Sequence, residues 1–272
     1  MTPSRHRRSA LLALLLALLA PAASARAEAI AATYLVQVAG LTVMELSVTL
    51  DLTDQGYAVE FRNRTRGVVA AISSGQMTSR VEGVWEGERA RPRRYVSEGT
   101  WRGDPRRVIV EWRSGQPVVR AMVPPVEEEE REPVPEAEQR NTIDSLSAIA
   151  QLIRQVRRTG NCDAAARVYD GRRLSALSAS TQGHERFPPA RDAWSGVALK
   201  CAFEGRFLAG YRKGEDIEAA RRPQTGIAWL AEVVPGLPPL PVRVDSANRW
   251  FGTVTARLVS YGRPGQLRAV SN

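Results

Sequence analysis

The chain has 272 residues, 43% of them hydrophobic; that is enough for the core of one all-β domain or two small ones, and it excludes a chain disordered throughout. Its 38 basic residues face 29 acidic ones, a net charge of +9, and the only lysines are Lys200 and Lys213. No basic stretch is interleaved with aromatics, which excludes nucleic acid as a partner. An anionic lipid or polymer fits such a charge, and so does plain arginine-rich genome composition.

Arg5, Arg7 and Arg8 precede the apolar run Leu11 to Ala20, and Ala23-Ser24-Ala25 and Ala25-Arg26-Ala27 then form overlapping A-x-A cleavage signals. Residues 1–27 therefore read as a secretory signal peptide. The run is shorter than the roughly 20 residues that span a bilayer, so an uncleaved anchor is the weaker alternative. No cysteine follows either cleavage site, which argues against a lipoprotein anchor. Residues 28–272 are expected as a single soluble periplasmic domain with no later transmembrane segment.

The export product opens with strands. Thr33 to Val38 turns at Ala39-Gly40 into Leu41 to Leu52, where Met44, Leu46, Val48, Leu50 and Leu52 alternate with polar residues. Tyr57, Val59 and Phe61 continue the alternation as a β-meander. Gly67 to Ser73 reads as one helical turn or a buried connection. Strands resume at Gln76 to Trp85, Arg94 to Trp101, Arg106 to Arg113 and Pro117 to Val123, with Ser114-Gly115 turning the last pair.

Residues 123–140 carry Pro124, Pro125, Pro133 and Pro135 around Glu127 to Glu130, so an exposed, mobile acidic loop is expected. Thr142 then caps a helix from Ile143 to Arg158. Leu146, Ile149, Ala150, Ile153 and Val156 form its apolar stripe, Arg157 and Arg158 suit its C-terminal dipole, and Gly160 ends it. Cys162 and Cys201 are an even count in an exported chain and read as a disulfide, with two free buried thiols as the alternative. Asp170-Gly171 between Ala164 to Tyr169 and Arg172 to Ser180 is a hairpin signal. Further strands are expected at Trp194 to Phe203, Gly226 to Val234, Leu240 to Ser246 and Gly252 to Tyr261, while Arg206 to Pro223 reads as loop. The expected fold is mainly β: a curved antiparallel sheet, half-barrel or barrel, enclosing one long α-helix.

The helix start Asn141-Thr142-Ile143-Asp144-Ser145-Leu146-Ser147-Ala148, the hairpin Val168-Tyr169-Asp170-Gly171-Arg172-Arg173, the segment Trp194 to Cys201 and the strand Leu240-Pro241-Val242-Arg243 together resemble the exported bacterial family known as domain of unknown function 3108. The resemblance spans roughly Ala32 to Tyr261. It implies a fold similar to that of bacterial lipoprotein carriers, a curved antiparallel sheet around a helix, and it brings no reaction and no site residues.

Chemistry-bearing motifs are scarce. After residue 27 the only histidine is His184, which reads as an ordinary loop residue, and no nucleophile elbow or phosphate-binding loop accompanies it. No catalytic, cofactor or metal residue is assigned. An inward Arg172 or Arg173 is expected to pair with Asp144 or to meet an anionic headgroup. Trp85, Trp101, Trp112, Trp194, Trp229 and Trp250 lie in or beside strands and either line an apolar cavity, together with Leu146, Ile149 and Ile153, or pack the core. The leading expectation is non-catalytic binding of an apolar or lipid-like envelope ligand, or support of the envelope. A module docking on an envelope protein or anionic polymer is the second, and a hydrolase the third.

Overall fold

A computed structural model describes residues 29–248 and 252–270. The expected signal peptide, residues 1–27, and Trp250 lie outside the described residues. The strands are β1 (Ile30–Val38), β2 (Leu41–Leu52), β3 (Gly56–Thr65), β4 (Gly75–Glu86), β5 (Arg89–Trp101), β6 (Asp104–Arg113) and β7 (Gln116–Val123). They continue with β8 (Ala164–Tyr169), β9 (Leu174–Phe187), β10 (Gly196–Ala209), β11 (Gln224–Ala231), β12 (Leu240–Asn248), β13 (Gly252–Arg263) and β14 (Gln266–Ala269). Among the described residues four helices interrupt them: α1 (Gly67–Ile72), α2 (Glu136–Gln139), α3 (Ser145–Thr159) and α4 (Ile217–Arg221).

All strands join one antiparallel sheet in the order β7-β6-β5-β4-β3-β2-β1-β13-β12-β11-β10-β9-β8, with β14 beside β13. Neighbours in the sheet are neighbours in sequence except β1 and β13, which splice two meanders together, while β7 and β8, consecutive in the chain, lie at opposite ends of the order. The path ends at β7 and β8, so the sheet is open and the closed-barrel version of the expectation is corrected. The hairpins follow local chemistry: Ala39-Gly40 and Ser114-Gly115 both have positive φ at both positions, the backbone that a two-residue turn between twisted strands requires. Among the described residues no helix is long and apolar enough to cross a membrane.

Helix α3 stands where a helix was expected, but it has 15 residues and is accompanied among the described residues by three others of 6, 4 and 5, so the expectation of one long helix gives way to a few short ones. Its cap is Asp144 rather than Thr142: the carboxylate accepts from the backbone N–H groups of Leu146 at 2.9 Å and Ser147 at 3.0 Å. The Thr142 hydroxyl instead donates to the Gln139 carbonyl at 2.6 Å. Gly160, left-handed at φ 71°, closes the other end. Leu146, Ala150, Ile153 and Val156 are buried, but Ile149, expected in the same stripe, is 43% exposed.

The core lies between α3 and the sheet. It draws on Ile30, Leu50, Tyr57, Val59, Val81 and Tyr95 from the first meander and on Val168, Leu199, Leu230, Leu240 and Leu258 from the second. Strands at opposite ends of the sheet order thus share one helix, which demands a curled sheet. The two edges also meet: a Cβ on Gly171, in the β8–β9 turn, would lie 3.0 Å from Met122 on β7 and 3.1 Å from Val108 on β6.

Several local expectations are corrected. The acidic segment is anchored, because Arg131 pairs with Arg212 in a β-bridge and Val134 is buried against Tyr169 and Leu174. Its charge run hid this, since within Glu127 to Glu130 the ion pairs converge on Glu129. His184 sits in strand β9 opposite Leu199, next to a bulge at Gly183, φ 91°; Pro188 and Pro189, which made the segment read as loop, follow the end of the strand. The segment Arg206 to Pro223 contains the end of β10 and α4. Cys162 and Cys201 form a disulfide with a Cα separation of 6.1 Å, inside the limit of about 7 Å for bridging.

Candidate functional site

Helix α3 is closely held on one side and borders a groove on the other. Toward β3, β4 and β5 it meets large side chains. Tyr57 donates to the Ser147 hydroxyl at 2.7 Å, and Ser147 donates in turn to Asp144. Burial pushes the Asp144 carboxyl above its ordinary range, and the hydrogen bonds from Ser147 and Leu146 act in the opposite sense. Burial likewise raises the Tyr95 hydroxyl. The Ala90 N–H donates to Gln151 Oε1 at 2.8 Å and fixes the helix against the start of β5.

Toward β8–β12 the helix presents Ala148, Ile149 and Leu152 to a groove of about 320 Å³. Its opposite wall is built from small side chains: Ala164, Ala165 and Ala166 on β8, Ala179 on β9 and Ala228 on β11. Leu177, Phe203, Leu230 and Val244 supply larger apolar surface, and Gln151, Ser178 and Glu204 are the only polar residues on the lining. The disulfide ties Cys162, just before β8, to Cys201 on β10, whose side of the bridge borders the groove. The size falls at the low end of the roughly 300–1,000 Å³ of ligand pockets.

Of the expected lining residues, Ile149 and Ile153 border this groove, and Leu146 is buried in the packed core beside it. No tryptophan is on its lining; of the two alternatives, cavity lining or packing, the described rings have the following surroundings. Trp85 stacks on Tyr57 at 4.6 Å, lies under Arg154 and donates to the Thr53 carbonyl at 3.0 Å. Trp229 packs edge-on to Phe187, under Lys200 and Arg243, and donates to Glu185 at 2.9 Å. That bond, and then the one from Lys200, hold the Glu185 carboxyl below the usual range. Trp194 packs against Phe187, Trp112 is half-buried against the core, and Trp101 is 38% exposed. A buried indole N–H needs a partner, and Trp85 and Trp229 find theirs in the Thr53 carbonyl and the Glu185 carboxylate; the Trp112 N–H is buried without one. No sequence periodicity distinguished Ala164 to Ala166 as a cavity wall; alanine at alternating and adjacent strand positions reads equally as edge or core.

The expected pairing of Arg172 or Arg173 with Asp144 is also corrected. Arg173 pairs with Asp170 at 3.1 Å. Arg172 reaches Glu129 at 3.1 Å, where Arg106 at 3.2 Å and Arg131 at 2.9 Å converge as well. This latch spans the seam of the open sheet, joining β6, the acidic segment and the β8–β9 turn. Burial alone would raise the Glu129 carboxyl; the hydrogen bond from Arg131 and the charges of Arg172, Arg131 and Arg106 outweigh it and hold the group below its ordinary range. His184 is exposed on its strand. Among the described residues no group of three or more His, Cys, Asp or Glu side chains is placed to hold a metal ion.

A family model described as "Protein of unknown function (DUF3108)" matches residues 33–259. No curated protein matches the chain. Among solved structures, a β-barrel-like protein of domain of unknown function DUF1849 from Brucella abortus aligns over 88% of this chain and 98% of its own, at 11% identity and a TM-score of 0.51. That likeness is one of fold. A protein of Parabacteroides distasonis described as a candidate lipoprotein aligns over 89% of this chain and 96% of its own, at 10% identity and a TM-score of 0.32, too low to support any inference.

Proposed function

We propose, from the premise that the chain belongs to the DUF3108 family of proteins of unknown function, that it is a non-catalytic binding protein of the bacterial envelope whose groove takes a single alkyl or acyl chain. One observation carries the reading: beside a packed helix face lies a groove with almost wholly apolar walls, with Ile149 exposed at its border. Each methylene moved from water into such walls contributes about 0.8 kcal/mol, so a chain of several carbons gains enough to bind without directional contacts. The second expectation, an interaction module, calls for a filled interior and a continuous exposed patch; the groove favours ligand binding over it. The disulfide and the arginine-flanked apolar start support export to an oxidising compartment, the periplasm.

The test is direct titration of the purified, disulfide-intact protein with dodecanol, followed by native mass spectrometry and by displacement of an apolar fluorescent dye. Saturable one-to-one binding is expected, lost in Ile149→Glu, which places a charge at the groove while replacing a side chain that already meets water. Absence of saturable binding in the wild type, or unchanged binding in the variant, would overturn the reading.

A further inference from the structure

The apolar groove continues into a second cavity of about 640 Å³, and the two share the lining residues Gln151, Ala165, Ala166, Leu177, Ser178 and Glu204. The character changes abruptly at this junction. Where the groove has one charged residue, Glu204, the adjoining cavity adds four guanidiniums, Arg89, Arg91, Arg167 and Arg206. They come from separate elements, β5, β8 and β10, that only the curled sheet brings together.

Three of them carry one carboxylate each. Arg91 pairs with Glu86, Arg167 with Glu138, and Arg206 with Glu204 at 3.0 Å. Arg89 is exposed, and among the described residues no carboxylate forms an ion pair with it. The pairs are themselves partly exposed, with Arg91, Arg167 and Arg206 side chains at 34%, 46% and 50%. Such solvated pairs hold weakly and can be exchanged. Four guanidiniums against three carboxylates leave one positive charge in excess. Guanidinium is also the side chain best suited to bidentate contact with carboxylate or phosphate oxygens.

Resting on the groove reading above, we propose that the ligand is an anionic single-chain amphiphile, its alkyl chain lying between α3 and β8–β12 and its charged headgroup in the arginine-lined cavity beside β5. Carboxylate and phosphate headgroups share the chemistry this cavity recognises.

The experiment compares laurate, dodecyl phosphate and dodecanol, three probes with the same chain length and different heads, by calorimetric titration at low and moderate salt. At least one anion is expected to bind ten-fold or more tightly than dodecanol, with the advantage shrinking as salt rises. The tighter anion identifies the source as a fatty acid or a phosphorylated lipid. Arg89→Gln should weaken the preferred anion three-fold or more and leave dodecanol unchanged. Arg62→Gln, on β3 and outside both cavities, should alter neither. Dodecanol binding as tightly as both anions, or anion affinity indifferent to Arg89→Gln, would overturn the headgroup assignment while leaving the groove reading intact. If none of the three compounds binds, the groove reading fails and this inference with it.

Discussion

The two walls that face helix α3 are both apolar and both contribute to the core, yet only one leaves a groove. On the β3–β5 side, Tyr57, Val59, Val81 and Tyr95 reach the helix, and the Tyr57–Ser147–Asp144 chain satisfies the polar atoms buried with them. On the β8–β12 side, Ala164, Ala165, Ala166, Ala179 and Ala228 stop short, and a groove remains. Hydrophobicity decides which residues face inward, but side-chain volume decides whether opposed faces touch. A close-packed interior needs both.

The comparison breaks most sharply at Ile153. It is 3% exposed, and Ile153→Ala should cost about 2–5 kcal/mol in urea unfolding, the range for truncating a buried large aliphatic residue. One helical turn earlier, Ile149→Ala should cost well under 1 kcal/mol, because its side chain is already part in water. Equal effects would mean that Ile149 is packed as tightly as Ile153.

The Glu129 latch holds the sheet edges on which both walls depend. Glu129→Gln should destabilise by about 2 kcal/mol, less than the roughly 3–5 kcal/mol for breaking a fully buried pair, since solvent screens part of it. The sign with pH follows from the lowered carboxyl. Its stabilising contribution is complete above the unfolded-state value of about 4.3 and is lost as pH falls through the lower folded value. Wild-type stability should therefore drop toward the variant's in acid, and the difference between the two should shrink over that window in pH-dependent unfolding curves. A constant difference down to pH 2 would show that the carboxylate charge is not what the arginines hold.

The smallest expected effect on stability is the most telling for binding. Ala228→Leu adds volume on the groove wall and should change unfolding free energy by less than about 1 kcal/mol, because the added atoms enter open space rather than a packed core. The same change should abolish displacement of an apolar dye by dodecanol. A strongly destabilised variant would place Ala228 in a filled interior instead.

Much of the fold was legible. The alternation of Met44 to Leu52, the Ala39-Gly40 and Ser114-Gly115 turns, and the Leu146 to Val156 spacing each encode a local geometry through period or turn chemistry, and those segments formed as read. The even cysteine count pointed to the bridge that formed. The site was less legible. Trp85 and Trp229, weighed as cavity lining or core, take hydrogen-bonded and cation-stacked positions, whereas the groove wall is a run of alanines with no distinguishing pattern.

What the sequence determined by itself is therefore the local periodicities, the two meanders of strands and the apolar stripe of α3, because each depends on neighbours a few residues apart. Only the tertiary structure decided that β1 pairs with β13, that the sheet stays open at β7 and β8, and that Glu129 meets Arg106, Arg131 and Arg172 across the seam. It also decided that Arg89, Arg91, Arg167 and Arg206 gather beside an alanine-walled groove. These outcomes join residues separated by tens to hundreds of positions. The curl of the sheet, and the volumes that meet inside it, fix them; no single segment carries that information.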